Sequence, residues 1–142
     1  MKFTVNIVMT CGVETISPGA SLEDAAQKMR IHNVGILPVV DDTHQRVVGI
    51  ITDRDIVLRA VSERMRPEMT RVRDVMTSKP ICCYEDQTLG EASFLMEKNF
   101  IHRLPVLNRK DELVGIVSLS DLAAKARKDK LSGHVLANVT PA

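Results

Sequence analysis

Apolar residues along this chain fall into two kinds of pattern. Short unbroken runs, such as Ile36 to Val40 and Val47 to Ile51, are bounded by polar turns, while longer stretches return to an apolar residue every three or four positions. Unbroken runs of that length read as buried strands, and the three-to-four spacing reads as a helix with one buried face. The first copy of this pattern opens with Val13 to Ile16, a short predicted strand. Ser21 then caps a predicted helix running to about Ile31, with Glu23 and Asp24 in its first turn and Leu22, Ala25, Ala26 and Met29 on one face. The strands Ile36 to Val40 and Val47 to Ile51 are joined by the polar turn Asp41 to Arg46, and a second helix is predicted from near Asp53 to near Val61.

The same pattern then recurs. Val8-Met9-Thr10 returns as Val75-Met76-Thr77, and Leu37-Pro38-Val39 returns as Leu104-Pro105-Val106, both 67 positions on. Val48-Gly49-Ile50 returns as Val114-Gly115-Ile116 after 66 positions, so one residue is lost in the intervening turn, where length changes are best tolerated. The second copy is predicted as strand Ile81 to Tyr84, helix Thr88 to Lys98, strands Leu104 to Leu107 and Leu113 to Val117, and helix Ser120 to about Lys130. The fold class expected is therefore α/β (α+β), two tandem β-α-β-β-α repeats. The boundaries expected are 5–61 and 75–130, a polar connector over 62–74, and a tail over 131–142 read as an arm or disordered. One copy of about 50 residues is marginal as an independent core. The two are expected to pack sheet to sheet about a pseudo-twofold axis, leaving two related clefts as the place to look for function.

Composition narrows the classes. The net charge is +1, which supplies no bulk attraction for nucleic acid or an anionic membrane. There is no Trp, one Tyr and three Phe, too few for a base-stacking platform. No apolar run approaches the ~20 residues of a membrane span, and Asn6 and Thr10 interrupt the only apolar stretch near the start, so a cytoplasmic protein is expected. Cys11, Cys82 and Cys83 form no disulfide framework, and the cysteines and histidines have no metal-ligand spacing. No nucleophile elbow, catalytic triad order or phosphate-binding glycine loop is present, so an enzyme is not expected.

The informative constellation closes the second long strand of each copy: Gly49-Ile50-Ile51-Thr52-Asp53-Arg54-Asp55 and Gly115-Ile116-Val117-Ser118-Leu119-Ser120-Asp121. A hydroxyl residue ends a strand, and a carboxylate follows three positions later in the first turn of a helix. Free N–H groups there can take a phosphate, and a carboxylate accepts from two adjacent hydroxyls as a ribose presents them. The same residues also suit plain helix capping, with Thr52 and Ser118 as caps and Asp55 and Asp121 as their third-position acids.

The repeat resembles the cystathionine-β-synthase-type (CBS) domain, and residues 5 to 130 resemble a stand-alone CBS pair, or Bateman module. The resemblance rests on the VMT triplet, LPVV/LPVL and the G-h-h-[T/S]-x-x-D element, each present twice and in order. It implies a regulatory module, without catalysis, that binds AMP, ADP or ATP, or a related adenosyl ligand such as S-adenosylmethionine or NAD. It implies Thr52 and Asp55 for one site, and Ser118 and Asp121 for the other. His102-Arg103 replaces Gly35-Ile36 at the start of the first long strand of copy two, and the resemblance implies that such basic residues contact phosphates. Arg54, which Ser120 replaces in copy two, is a further candidate. A homodimer and an unidentified regulated protein are the partners implied. The alternative is a ligand-free dimerisation or protein-interaction module. Removal of either aspartate side chain is expected to weaken binding with little loss of fold.

Overall fold

The computed structural model describes residues 3–137, with side chains through Asp129. In chain order the elements are α1 (Leu22–His32), β1 (Ile36–Val40), β2 (Val47–Thr52), α2 (Asp53–Asp55), α3 (Val72–Val75), β3 (Thr77–Ser78), β4 (Cys83–Tyr84), α4 (Leu89–Asn99), β5 (Arg103–Leu107), β6 (Leu113–Ser118) and α5 (Leu119–Ala137). Short 3-10 turns form at Val5–Ile7 and Pro67–Met69, and α2 runs directly into a π-helical stretch at Ile56–Val61. The elements fold into two compact units. Gly12–Ile81 with Lys110–Leu113 form the first-repeat unit; among the described residues, 3–11, 82–109 and 114–137 form the second-repeat unit.

The first-repeat unit is built on an antiparallel sheet in the order β1-β2-β3. Register pairs Ile36 with Thr52 and Leu37 with Ile51, which sets Leu37, Val39 and Ile51 on the face that α1 covers with Leu22, Ala25 and Met29. Leu22, Leu37, Val39 and Ile51 are fully buried. Of the expected strand Val13 to Ile16, only Ile16 pairs, in parallel with Val39. The polar Glu14 and Thr15 turn to α1 instead: Lys28 donates to Thr15 O and lies 3.8 Å from Glu14. The third strand comes from the second VMT triplet: Thr77 pairs with Ile50 and Ser78 with Gly49. A Cβ at Gly49 would lie 2.8 Å from Thr77 O, so the close approach of β3 requires glycine there. Within the expected connector, α3 adds Val72 and Val75 to this core, and Arg59 Nη1 donates to Val75 O at 3.1 Å and Met76 O at 3.3 Å. A guanidinium on the last carbonyls of a short helix satisfies acceptors that the helix itself cannot.

The second-repeat unit follows the same plan. Its sheet runs β4-β5-β6, with Cys83 beside Val106 and Tyr84 beside Leu107 in parallel. Here the first VMT triplet supplies the added edge: Thr10 and Ile116 exchange N–H to O bonds of 2.8 and 3.0 Å. A Cβ at Gly115 would lie 2.7 Å from Thr10 O. Val5, Met96, Leu104, Val106 and Val117 form the core. Each repeat unit is thus completed by the segment that opens the other copy in the chain.

Helix boundaries follow local chemistry. Ser21 Oγ accepts from Asp24 N at 3.0 Å, and Thr88 with Glu91 forms a reciprocal capping box. The last helix does not stop near Lys130. It continues through Gly133 to Ala137, so the expected tail is helical over residues 131–137, and 138–142 lie outside the described residues. A single glycine weakens a helix by only about 1 kcal/mol against alanine, which a long helix absorbs.

Two helices end on a left-handed residue: Asn33 at φ 53° and Phe100 at φ 55°. Asparagine tolerates that conformation and phenylalanine does not, yet Phe100 is 93% exposed and gains no packing. Phe100→Asn, the residue at the matched place in the other copy, is expected to stabilise the chain by about 0.5–1 kcal/mol, read as a higher denaturation midpoint with an unchanged slope.

Candidate functional site

The strand-to-helix turns that carry the repeated hydroxyl and carboxylate are formed alike in both units. In the first-repeat unit, Thr52 ends β2 in an extended conformation, φ −118° and ψ 162°, and its Oγ accepts from Asp55 N at 3.0 Å. Asp55 Oδ2 in turn accepts from Thr52 N at 3.0 Å. In the second-repeat unit, Ser118 Oγ accepts from Asp121 N at 3.1 Å, and Asp121 Oδ2 accepts from Ser118 N at 2.9 Å. Both turns are therefore reciprocal capping boxes, the helix-capping alternative that the sequence left open.

This settles where each carboxylate is held. One oxygen of each aspartate is committed to its own backbone, and the other remains. Asp55 Oδ1 lies 3.8 Å from Arg59 Nε with its side chain only 14% exposed. Asp121 Oδ1 has no hydrogen-bond partner among the described residues. The caps bear on the expectation that alanine at 55 or 121 would cost little of the fold. Alanine would remove the acid of the box but keep the N–H that Thr52 or Ser118 Oγ accepts from, so it costs less than the about 0.5–2 kcal/mol of losing the cap residue itself.

The remaining candidates divide between the two units. In the first-repeat unit, Ile36 stands opposite Thr52, and Gly35 O accepts from Asp53 N at 3.0 Å. Arg54 lies exposed in α2. In the second-repeat unit, His102 O accepts from Leu119 N at 2.8 Å, the same bond in the same place. Arg103 follows as the exposed first residue of β5, the strand next to β6, which Ser118 ends. Thus Gly35, Ile36, Thr52, Arg54 and Asp55 gather on one turn, and His102, Arg103, Ser118 and Asp121 on the other.

Three nearby groups escaped the sequence reading. Asp53 folds over Gly35: a Cβ on Gly35 would meet Asp53 Oδ2 at 2.9 Å. The strand register alone would have shown that the two stand opposite. Lys125 and Lys128 line a depression of about 310 Å³ together with Ile7, Val8, Asp121 and Ala124. Their spacing from Asp121 along α5 carries that signal, four and seven residues being one and two helical turns. Lys125 is itself engaged, 3.3 Å from Asp129 and 4.4 Å above the Phe3 ring. A second recess, of about 570 Å³, opens at the far end of β1 among Asp24, Lys28, Val40, Asp41, Asp42 and Gln45, away from Thr52.

Nucleophile and metal chemistry find little here. Burial pushes the Cys82 thiol up to about 11 and the Cys83 thiol up to about 12, so both stay protonated and unreactive at neutral pH. Among the described residues no three His, Cys, Asp or Glu side chains converge on a point that could hold a metal ion, and no helix is long and apolar enough to cross a membrane.

The sequence model of the CBS domain matches twice, over residues 5–62 and 72–128. The chain belongs to the CBS domain family. The tandem CBS domains coincide with the two repeats, and the fold is shared with solved CBS pairs. A CBS domain-containing protein of Bacillus subtilis (strain 168), YhcV, is 37% identical over 137 residues, covering 96% of this chain and 95% of its own. The CBS domain pair of protein MJ0100, solved with 5′-methylthioadenosine and S-adenosyl-L-methionine, superposes with a TM-score of 0.80 at 28% identity, covering 92% of this chain and all of that one. CBSX2, solved with AMP, superposes with a TM-score of 0.76 at 26% identity, covering 90% of this chain and 98% of that one. CBS pairs similar to this one thus hold adenosyl ligands.

Proposed function

We propose that this CBS pair is a regulatory module that binds adenosyl ligands at its two strand-to-helix turns and passes the bound state to a partner. The observation that carries the reading is the repeated capping box that holds a carboxylate by one oxygen, Thr52 with Asp55 and Ser118 with Asp121; the second oxygen of Asp55 lies 3.8 Å from Arg59 Nε, and that of Asp121 has no hydrogen-bond partner among the described residues. A carboxylate preorganised through one oxygen can accept a sugar hydroxyl on the other without first having to be ordered. The adenosyl ligands of MJ0100 and CBSX2 support the same class of ligand here. The candidates include AMP, ADP and ATP, S-adenosylmethionine and NAD. Catalysis has no place in this reading, since Asp55 and Asp121 serve separate turns rather than one acid–base pair. The output goes to a second copy or to a regulated protein.

The experiment is isothermal titration of the purified chain with AMP, ATP, adenosine, S-adenosylmethionine, 5′-methylthioadenosine and NAD, paired with thermal melts. A ligand that binds only the folded chain raises the melting temperature by mass action. Saturable binding of at least one of these ligands is expected, and heat-free titrations with unmoved melts for all of them would remove the reading. In that event the interaction module stands instead. It has its own observation: Val57, Leu58 and Val61 are each half-exposed or more on the helix that follows Asp55.

A further inference from the structure

The first N–H groups of a helix have no partner within it, and a phosphate is a ligand that takes them. In the first-repeat unit the chain has taken them already. Asp53 N donates to Gly35 O at 3.0 Å, Arg54 N to Asp53 Oδ1 at 2.8 Å and Asp55 N to Thr52 Oγ at 3.0 Å. Asp53 Oδ2 lies over Gly35, in space that any larger residue at position 35 would contest. The Asp53 carboxylate therefore does two things at this turn. It occupies an N–H that an anion at a helix end would use, and it sets a carboxylate beside that N–H.

The second-repeat unit lacks this device. Leu119 stands at the position of Asp53 and His102 at the position of Gly35, with the backbone bond between them kept at 2.8 Å. Leu119 supplies no carboxylate to the N–H of Ser120. The backbone bond that opens the helix is common to both turns, and the side chains on it differ; beyond it α2 passes into a π-helical stretch where α5 continues as an α-helix.

We infer that Asp53 makes the Thr52–Asp55 turn select adenosyl ligands without a phosphate, neutral or cationic, and turn away those that carry one. The inference rests on the adenosyl reading above and names the ligand class for one of the two turns. Like charges a few ångströms apart at a protein surface repel enough to shift binding about tenfold. The positive charge of Arg54 is present with or without Asp53, so it cancels in a comparison of variants at position 53.

The test uses two ligand pairs that differ mainly in charge: AMP against adenosine, and S-adenosylmethionine against 5′-methylthioadenosine. All four are titrated into the full chain carrying Asp121→Asn, which leaves the first-repeat turn as the one to be read. Adenosine is expected to bind more tightly than AMP. Asp53→Leu, the residue matched at position 119, is expected to raise the AMP-to-adenosine affinity ratio about tenfold and to lower the S-adenosylmethionine-to-methylthioadenosine ratio. Asp53→Asn, nearly isosteric and still able to accept from Arg54 N, is expected to fall between, and it keeps the test readable if the leucine variant unfolds. Ratios unchanged in both variants would overturn the inference. If the unsubstituted chain binds ATP or NAD but none of the four, the inference is overturned and the adenosyl reading stands; if it binds none of the six, the adenosyl reading itself fails and takes this inference with it.

Discussion

The chain carrying Asp55→Asn and Asp121→Asn together is expected to lose adenosyl-ligand affinity by about 10- to 100-fold at each turn while melting close to the parent. Asparagine is the informative substitution because of the capping boxes. Its amide oxygen can still accept from Thr52 N or Ser118 N, the bonds now made at 3.0 and 2.9 Å. What it loses is the charge and the second acceptor oxygen, and a hydrogen bond to a charged group contributes roughly 1.5–3 kcal/mol. Alanine would confuse the two roles by weakening binding and cap at once. Calorimetric titration beside thermal denaturation separates them, and full affinity in the double asparagine variant would show that the carboxylates serve the caps alone.

Leu104→Ala is expected to destabilise the chain by about 2–5 kcal/mol. Leu104 is fully buried in the second-repeat core beside Val106, Val117 and Met96. Its neighbours lie on strands and a helix held by backbone hydrogen bonds, which limits how far they can collapse into the space left behind. Urea titration would measure the loss. Hydrogen exchange would show it concentrated in residues of the second-repeat unit, and a loss below about 0.5 kcal/mol would contradict the packing described.

The repeat was legible because its strongest signals are local. Leu37-Pro38-Val39 and Val48-Gly49-Ile50 are buried runs flanked by a polar turn, and strands of that kind announce themselves without help from distant residues. Ser21, Thr88 and the two hydroxyl–acid turns were legible for the same reason, since each cap spans only four residues. The VMT triplets were not placed by the sequence. Each reads as the start of its own copy, yet Thr10 pairs with Ile116 and Thr77 with Ile50, and no periodicity within a triplet encodes a partner so far along the chain. Gly49 and Gly115 hold the clue in retrospect, because a glycine inside a strand often marks the close approach of another backbone. The far end of α5 was missed because Gly133 reads as a stop when taken alone. At the candidate site the residues named from the sequence lie on two strand-to-helix turns, but the bonds they make there were not legible. Whether a carboxylate faces a ligand or its own N–H depends on χ angles that the order of residues does not specify, and the fold of Asp53 over Gly35 follows from register.

The exchange of edge segments between repeats has a consequence for synthesis. A nascent chain emerging from the ribosome through Val61 holds most of the first repeat but not β3, α3 or residues 110–113, so that unit waits for polypeptide still to be made. Residues 3–11 wait longer still, until β6 is released and Ile116 can receive Thr10. Neither half reaches its finished form during translation before the other is well under way, and a message cut short between the copies would yield a product lacking an edge rather than a smaller working module.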